Sequence, residues 1–144
     1  MATQNYANHR KFVPLFHGVL FGILALTLIG AGVNLYLSLG DHVRLYSASL
    51  IFVLTFCMLL MWVFVRVFPL KAQDRAIRAE ENLRFFAMTG RLLDPRLTMG
   101  QIIALRFASD TEFAALANRA IKESLSPDAI KRAVKDWRAD HYRA

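Results

Sequence analysis

Between Phe12 and Val65 the chain carries only two formal charges, Asp41 and Arg44. No soluble core of this length is built that way, and the stretch divides into two apolar runs. The first, PLFHGVLFGILALTLIGAGVNLYLSL, covers residues 14–39. As a helix it is roughly 39 Å long, enough to cross a hydrocarbon core of ~30 Å. The second, LYSASLIFVLTFCMLLMWVFV, covers residues 45–65 and reaches roughly 32 Å. Residues 40–44 between them are too few to hold a domain. Backbone groups in lipid must be paired within the segment, so the reading is a transmembrane helical hairpin with spans at 14–39 and 45–68. Trp62, Phe64 and Phe68 place aromatics at one end and Tyr36 and Tyr46 flank the loop, as an interfacial belt does.

Charge distribution gives the hairpin a direction. Arg10 and Lys11 precede it, and Arg66, Lys71, Arg75, Arg78 and Arg84 follow it, whereas the loop has one Arg offset by one Asp. The positive-inside rule places both termini in the cytoplasm and the loop outside, as in a multi-pass membrane protein. A cleaved signal peptide is a poor fit, because the first run is about twice the usual h-region of ~7–15 residues and no A-x-A-like site closes it. Composition agrees: mean hydropathy is +0.33 although 20% of residues are charged. Residues 71–144 hold 14 of the 18 Lys/Arg and 10 of the 11 Asp/Glu. The lone Cys57 supports neither a disulfide framework nor a metal cluster, and a buried apolar role is expected for it.

The reading is therefore an all-α chain in three parts: a cytoplasmic N-terminal segment over 1–13, the hairpin over 14–70, and a cytoplasmic helical domain over 71–144. KAQDRAIRAEENLRFFAMTGR reads as a stalk helix, with Asp74/Arg78 and Glu80/Arg84 at supporting i,i+4 spacing. It puts Ala76, Ala79, Leu83, Phe86, Ala87 and Gly90 on one face and ends near Gly90. Pro69 is a position for a kink. Capping boxes at Thr98–Gln101 and Ser109–Glu112 start two further helices. The second opens the apolar stripe Phe113, Leu116, Ala117, Ala120 and Ile121. Ser126-Pro127 starts a third, with Ile130, Val134 and Trp137 inward. Such a tail is small for independent stability and is expected to lean on the stalk, the membrane or a partner.

Four features are candidates for function. Gly18 and Gly22 form GxxxG, and Ala25 and Gly32 continue the stripe, a face that lets another helix approach closely, in this chain or another subunit. His17 lies one turn inside the inner interface, where an imidazole is a candidate ligand for haem or a chlorophyll-type pigment, although residues 45–68 offer no second His. An interfacial His bonded to water or headgroups is the plainer reading. Ile102, Ile103, Arg106 and Phe107 exceed what one face of a short helix needs and are a candidate partner surface. The outline from Phe113 to Trp137 has a helix-turn-helix look, but a net charge of +4 over 71–144, much of it beside the membrane, is a weak case for nucleic acid. His9, His42 and His141 match no metal-ligand spacing. No hydrolase elbow, phosphate loop or zincin motif occurs, so an enzyme is not expected.

Several stretches carry a resemblance: QNYANH at 4–9 with Pro14 and His17, LKAQDRAIRAEENLRFF at 70–86, LDPRLTMGQIIALRFASDTEF at 93–113, and IKRAVKDWRADHYR at 130–143. Over nearly its whole extent the chain is similar to a family of small bacterial membrane proteins catalogued only as a domain of unknown function. The resemblance implies two membrane helices and a cytoplasmic helical tail, and no activity or cofactor. The expectation is a non-enzymatic inner-membrane accessory subunit or adaptor, in contact with lipids and with other subunits or itself, in a respiratory or photosynthetic complex. The alternatives are a homo-oligomeric pore or small transporter, disfavoured by the lack of ionisable groups at midplane, and a membrane-tethered DNA-binding regulator.

Overall fold

The structure, a computed structural model, describes residues 4–9 and 12–140. Arg10, Lys11 and His141, used above, lie outside the described residues. Those described are all-helical: α1 (Phe21–Leu37), entered through a π-helical segment at Leu15–Leu20, α2 (His42–Thr89), α3 (Met99–Leu105), α4 (Asp110–Lys122) and α5 (Pro127–Ala133). They fall into two compact units. Phe12–Pro69 forms one; the described residues of Met1–Lys11 and Leu70–Ala144 form the other, so α2 contributes to both.

In the first unit, Leu15–Leu37 and α2 are each long and apolar enough to cross a membrane. Their contacts are few and specific. Trp62 Nε1 donates to the Phe16 carbonyl at 3.0 Å, and the two rings stack at 5.2 Å. The Trp62 ring also meets Phe21, and Phe52 lies against Gly32. Most large side chains of this unit face outward, Leu26, Ile29, Leu54 and Met58 among them. Several hydroxyls within the helices are satisfied along their own backbone: Thr27 bonds the Ile23 carbonyl, Thr55 that of Ile51, and Ser38 that of Asn34. Cys57 is exposed, not buried, because α2 turns its other side toward Phe16 and Gly32.

The second unit has a compact core of Phe107, Phe113, Ile102, Leu105 and Ile130, all below 2% exposure or at that limit, joined by Phe85, Leu93, Leu97 and Leu116. Its helix starts are local. Thr98 caps α3 in a full capping box with Gln101, and Ser126 accepts from the Ala129 N–H ahead of Pro127. Removing the first box by Thr98→Ala should cost about 1 kcal/mol, read as a lower denaturant midpoint for this unit. Gly90 stands at φ +71 and ends α2, a conformation that favours a residue without Cβ. Gly100 lets α3 approach α5, since a Cβ there would lie 3.1 Å from the Pro127 ring.

The α2 face packed into this unit is Ile77, Glu81 and Phe85, while Ala76, Ala79, Leu83, Phe86 and Ala87 are exposed. The reason is that burying a paired Glu81 beside Phe85 allows contact with Phe113 and Arg138, which helical periodicity alone does not see. Three expectations are corrected here: Arg84 pairs with Glu81 and Asp110 in place of Glu80. Ser109 makes no side-chain cap; the Glu112 carboxylate accepts instead from the Lys135 and Asp136 N–H groups. Those bonds, with Ser109 N–H to Asp136 and Arg138 N–H to Phe107, stop α5 at Ala133 and leave Trp137 in an isolated β-bridge to Ala108.

Candidate interaction site

Ile102, Arg106 and Phe107 do not form a partner surface. They are 2%, 7% and 0% exposed, with Ile103 half-buried, and they make up the second unit's own core. The excess of apolar residues on α3 is explained by packing on two sides, against α4 and α5. Arg106 lies over the Phe107 ring at 4.6 Å and pairs with Asp140 at 3.3 Å, so its charge is held inside the unit. Beside it, Ile77, Glu80, Glu81, Arg138 and Asp140 line a charged cavity of about 420 Å³.

The N-terminal segment is the main feature that periodicity could not anticipate. Residues 4–9 are folded onto the second unit. Tyr6 donates its hydroxyl to Asp128 on α5 at 2.6 Å and accepts from Arg132 at 3.1 Å. Gln4 closes a pair of hydrogen bonds with the Asp140 backbone. His9 is buried, with Nδ1 2.6 Å from the Tyr6 carbonyl, Nε2 3.3 Å from Lys131, and its ring against Phe107 and Trp137. QNYANH is thus a clasp: an amide, a phenol and an imidazole each find a specific partner more than 90 residues away in the chain.

The clasp has an acid limit. The Tyr6 hydroxyl, aided by Arg132 and Lys131, holds the Asp128 carboxyl below its usual range. A carboxyl lowered on folding stabilises the folded form at pH values above the ordinary ~3.9 and loses that contribution as pH falls through the folded value. Asp128 should therefore contribute fully to the clasp from neutrality down to about pH 4 and lose that contribution at lower pH. Tyr6→Phe should move the Asp128 titration, followed by carboxyl NMR shifts, back up toward the ordinary value.

In the first unit the expected stripe divides. Gly32 faces the chain's own second span, where a Cβ would lie 3.6 Å from the Phe52 ring, an ordinary contact. A Cβ at Gly18 or Gly22 would meet nothing within 4 Å, so those two positions leave open space beside the backbone, with Ala25 half-buried on the same helix. His17 is held within its own turn: Nδ1 is 3.0 Å from the Val13 carbonyl, and the ring stacks on Phe12 at 5.0 Å and meets Phe16 edge-on. Among the described residues no three His, Cys, Asp or Glu side chains are grouped for a metal ion.

A family of unknown function (DUF6526) matches residues 1–144. No curated protein and no solved structure shows significant similarity to the chain.

Proposed function

The chain belongs to the DUF6526 family across residues 1–144, a family without an assigned activity, and from its own geometry we propose that it is a non-enzymatic accessory subunit or adaptor of the bacterial inner membrane. Leu15–Leu37 and the apolar part of α2 cross as a hairpin, with residues 38–41 outside and both ends in the cytoplasm. The clasp is the observation that carries the topology. Residues 4–9 and the α5 region can bond to each other only if they share one side of the membrane, which two crossings provide and one does not. Basic residues set which side: Arg66, Lys71, Arg75 and Arg78 gather at one end, while at the other Arg44 is paired with Asp41 at 3.3 Å.

The adaptor role rests on the open space at Gly18 and Gly22. In lipid, association depends on close backbone packing, and two glycines one turn apart with nothing against them are a seat for another subunit's helix. Gentle detergent extraction from the native membrane should give a particle heavier than a dimer of this 16.4 kDa chain. Gly22→Leu should remove the co-purifying membrane subunit while leaving the chain in the membrane. A homogeneous particle containing this chain alone, unchanged by Gly22→Leu, contradicts the role.

A further inference from the structure

We propose that the exposed face of α2 beyond Pro69 docks a second copy of this chain, side by side and in parallel. The orientation rests on the membrane reading above, since two chains with the same topology present this segment in the same direction. Ala72, Ala76, Ala79, Leu83 and Phe86 share one side of the helix at alternating four- and three-residue spacing. All five are exposed, Leu83 at 69% and Phe86 at 50%, while the other side of the same segment is packed into the core through Ile77, Glu81 and Phe85. From Ala76 to Phe86 the spacing is that of the a and d positions of a two-stranded coil, and the alanines permit close approach of the backbones.

The flanking charges select the occupant. Arg75 directly precedes the first of these positions and Glu80 directly follows Ala79, which makes them g and e residues on opposite shoulders. In a parallel pair, a g residue faces the e residue five places further on in the other helix. Arg75 therefore meets Glu80 of the second copy, twice by symmetry. Both side chains are exposed, and neither has an ion-pair partner among the described residues. A membrane surface or an acidic partner would be met by basic residues on both shoulders, and Glu80 opposes that. The first unit by itself carries the same spacing on exposed Leu54, Met58, Met61, Val65 and Phe68. Lipid covers such a face without a partner, so it is residues 72–86 that call for a second copy.

The test uses the full chain in membranes, with Cys57→Ala removing the native thiol. Single cysteines at Ala76, Ala79 and Leu83 should form disulfide-linked dimers on mild oxidation several-fold faster than cysteines at Lys71 or Arg78. Adding Arg75→Glu to Ala79→Cys should lower the yield several-fold, and adding Glu80→Arg to that variant should restore it. Equal yields at all five positions, no dimer at any, or no restoration by the double exchange would overturn the proposal. Alkaline carbonate washing of the same membranes separates the two readings. Loss of the chain from the pellet contradicts the membrane reading, whereas a retained chain without patterned cross-linking contradicts the docking alone.

Discussion

Arg84→Met should destabilise the C-terminal helical unit by about 3–5 kcal/mol, the range for removing one partner from a buried ion pair. Arg84 is 12% exposed at its side chain and serves four groups at once. It pairs with Glu81 at 2.9 Å and Asp110 at 2.6 Å, donates to the Ala108 carbonyl at 2.7 Å, and lies over the Phe113 ring at 4.4 Å. Without it, the Glu81 carboxylate, 5% exposed, keeps among the described residues a longer contact of 3.4 Å to Arg138. Most of the loss is then the cost of an under-paired buried charge, not of missing packing. The double variant Glu81→Leu with Arg84→Met should accordingly regain most of the stability. Hydrogen exchange of α4 and α5 amides in lipid nanodiscs reads both. A single variant costing less than about 1 kcal/mol, the level of a solvent-exposed pair, contradicts the assignment.

Phe107→Ala should cost a similar amount, about 3–5 kcal/mol, by opening a cavity at a fully buried ring. It should also do something an ordinary core truncation does not. Phe107 meets both His9 and Trp137, at 5.8 and 4.8 Å between ring centres, and its carbonyl accepts from the Arg138 N–H. The clasp and the segment after α5 rest on that ring. Loss of the ring should therefore raise hydrogen exchange at residues 4–9 and 135–140 before it does so at α4. Ile102→Ala, equally buried but without those contacts, should lower stability without selectively loosening the N-terminal segment. Equal loosening of residues 4–9 in both variants contradicts the linkage.

What could be read from the sequence was what is encoded locally. The two apolar runs exclude charge over long stretches, and no tertiary context alters that. Thr98 with Gln101, and Ser126 with Pro127, announce helix starts through bonds spanning three residues. The α4 stripe from Phe113 to Ala120 lies on a helix with one buried face, so periodicity alone finds it. The failures share a different origin. The apolar side of the stalk, Ala76, Ala79, Leu83 and Phe86, is visible in the sequence, but the side that packs carries Ile77, Phe85 and a buried Glu81, which periodicity does not mark. Ile102 looks surplus because α3 is enclosed by α4 and α5, and Phe107, which follows α3, because His9 and Trp137 cover its ring. Trp137 fell outside α5 because Glu112 and the 107–109 backbone claim the N–H groups of residues 135–138. The clasp had no periodic mark at all. Its only trace was a concentration of Gln, Tyr, Asn and His ahead of an apolar run, side chains suited to specific hydrogen bonds.

These corrections bear on the candidate surfaces. The Ile102 and Phe107 cluster is removed from the outer surface, and Gly32 faces the chain's own Phe52. What remains open is the Gly18/Gly22 edge and the exposed side of α2 after Pro69. Each belongs to a different unit, and each has its own variant and its own readout.

Two crossings with both ends inside can be read out by site-directed thiol labelling. In a Cys57→Ala background expressed in bacteria, single cysteines replace Asp41, Asn8 or Lys122, all exposed. A membrane-impermeant maleimide applied to intact spheroplasts should label the residue 41 thiol and leave those at 8 and 122 unreacted until the membrane is opened. Labelling of residue 8 and residue 122 on opposite sides, or protection of residue 41 with both others reactive from outside, would rule out that topology.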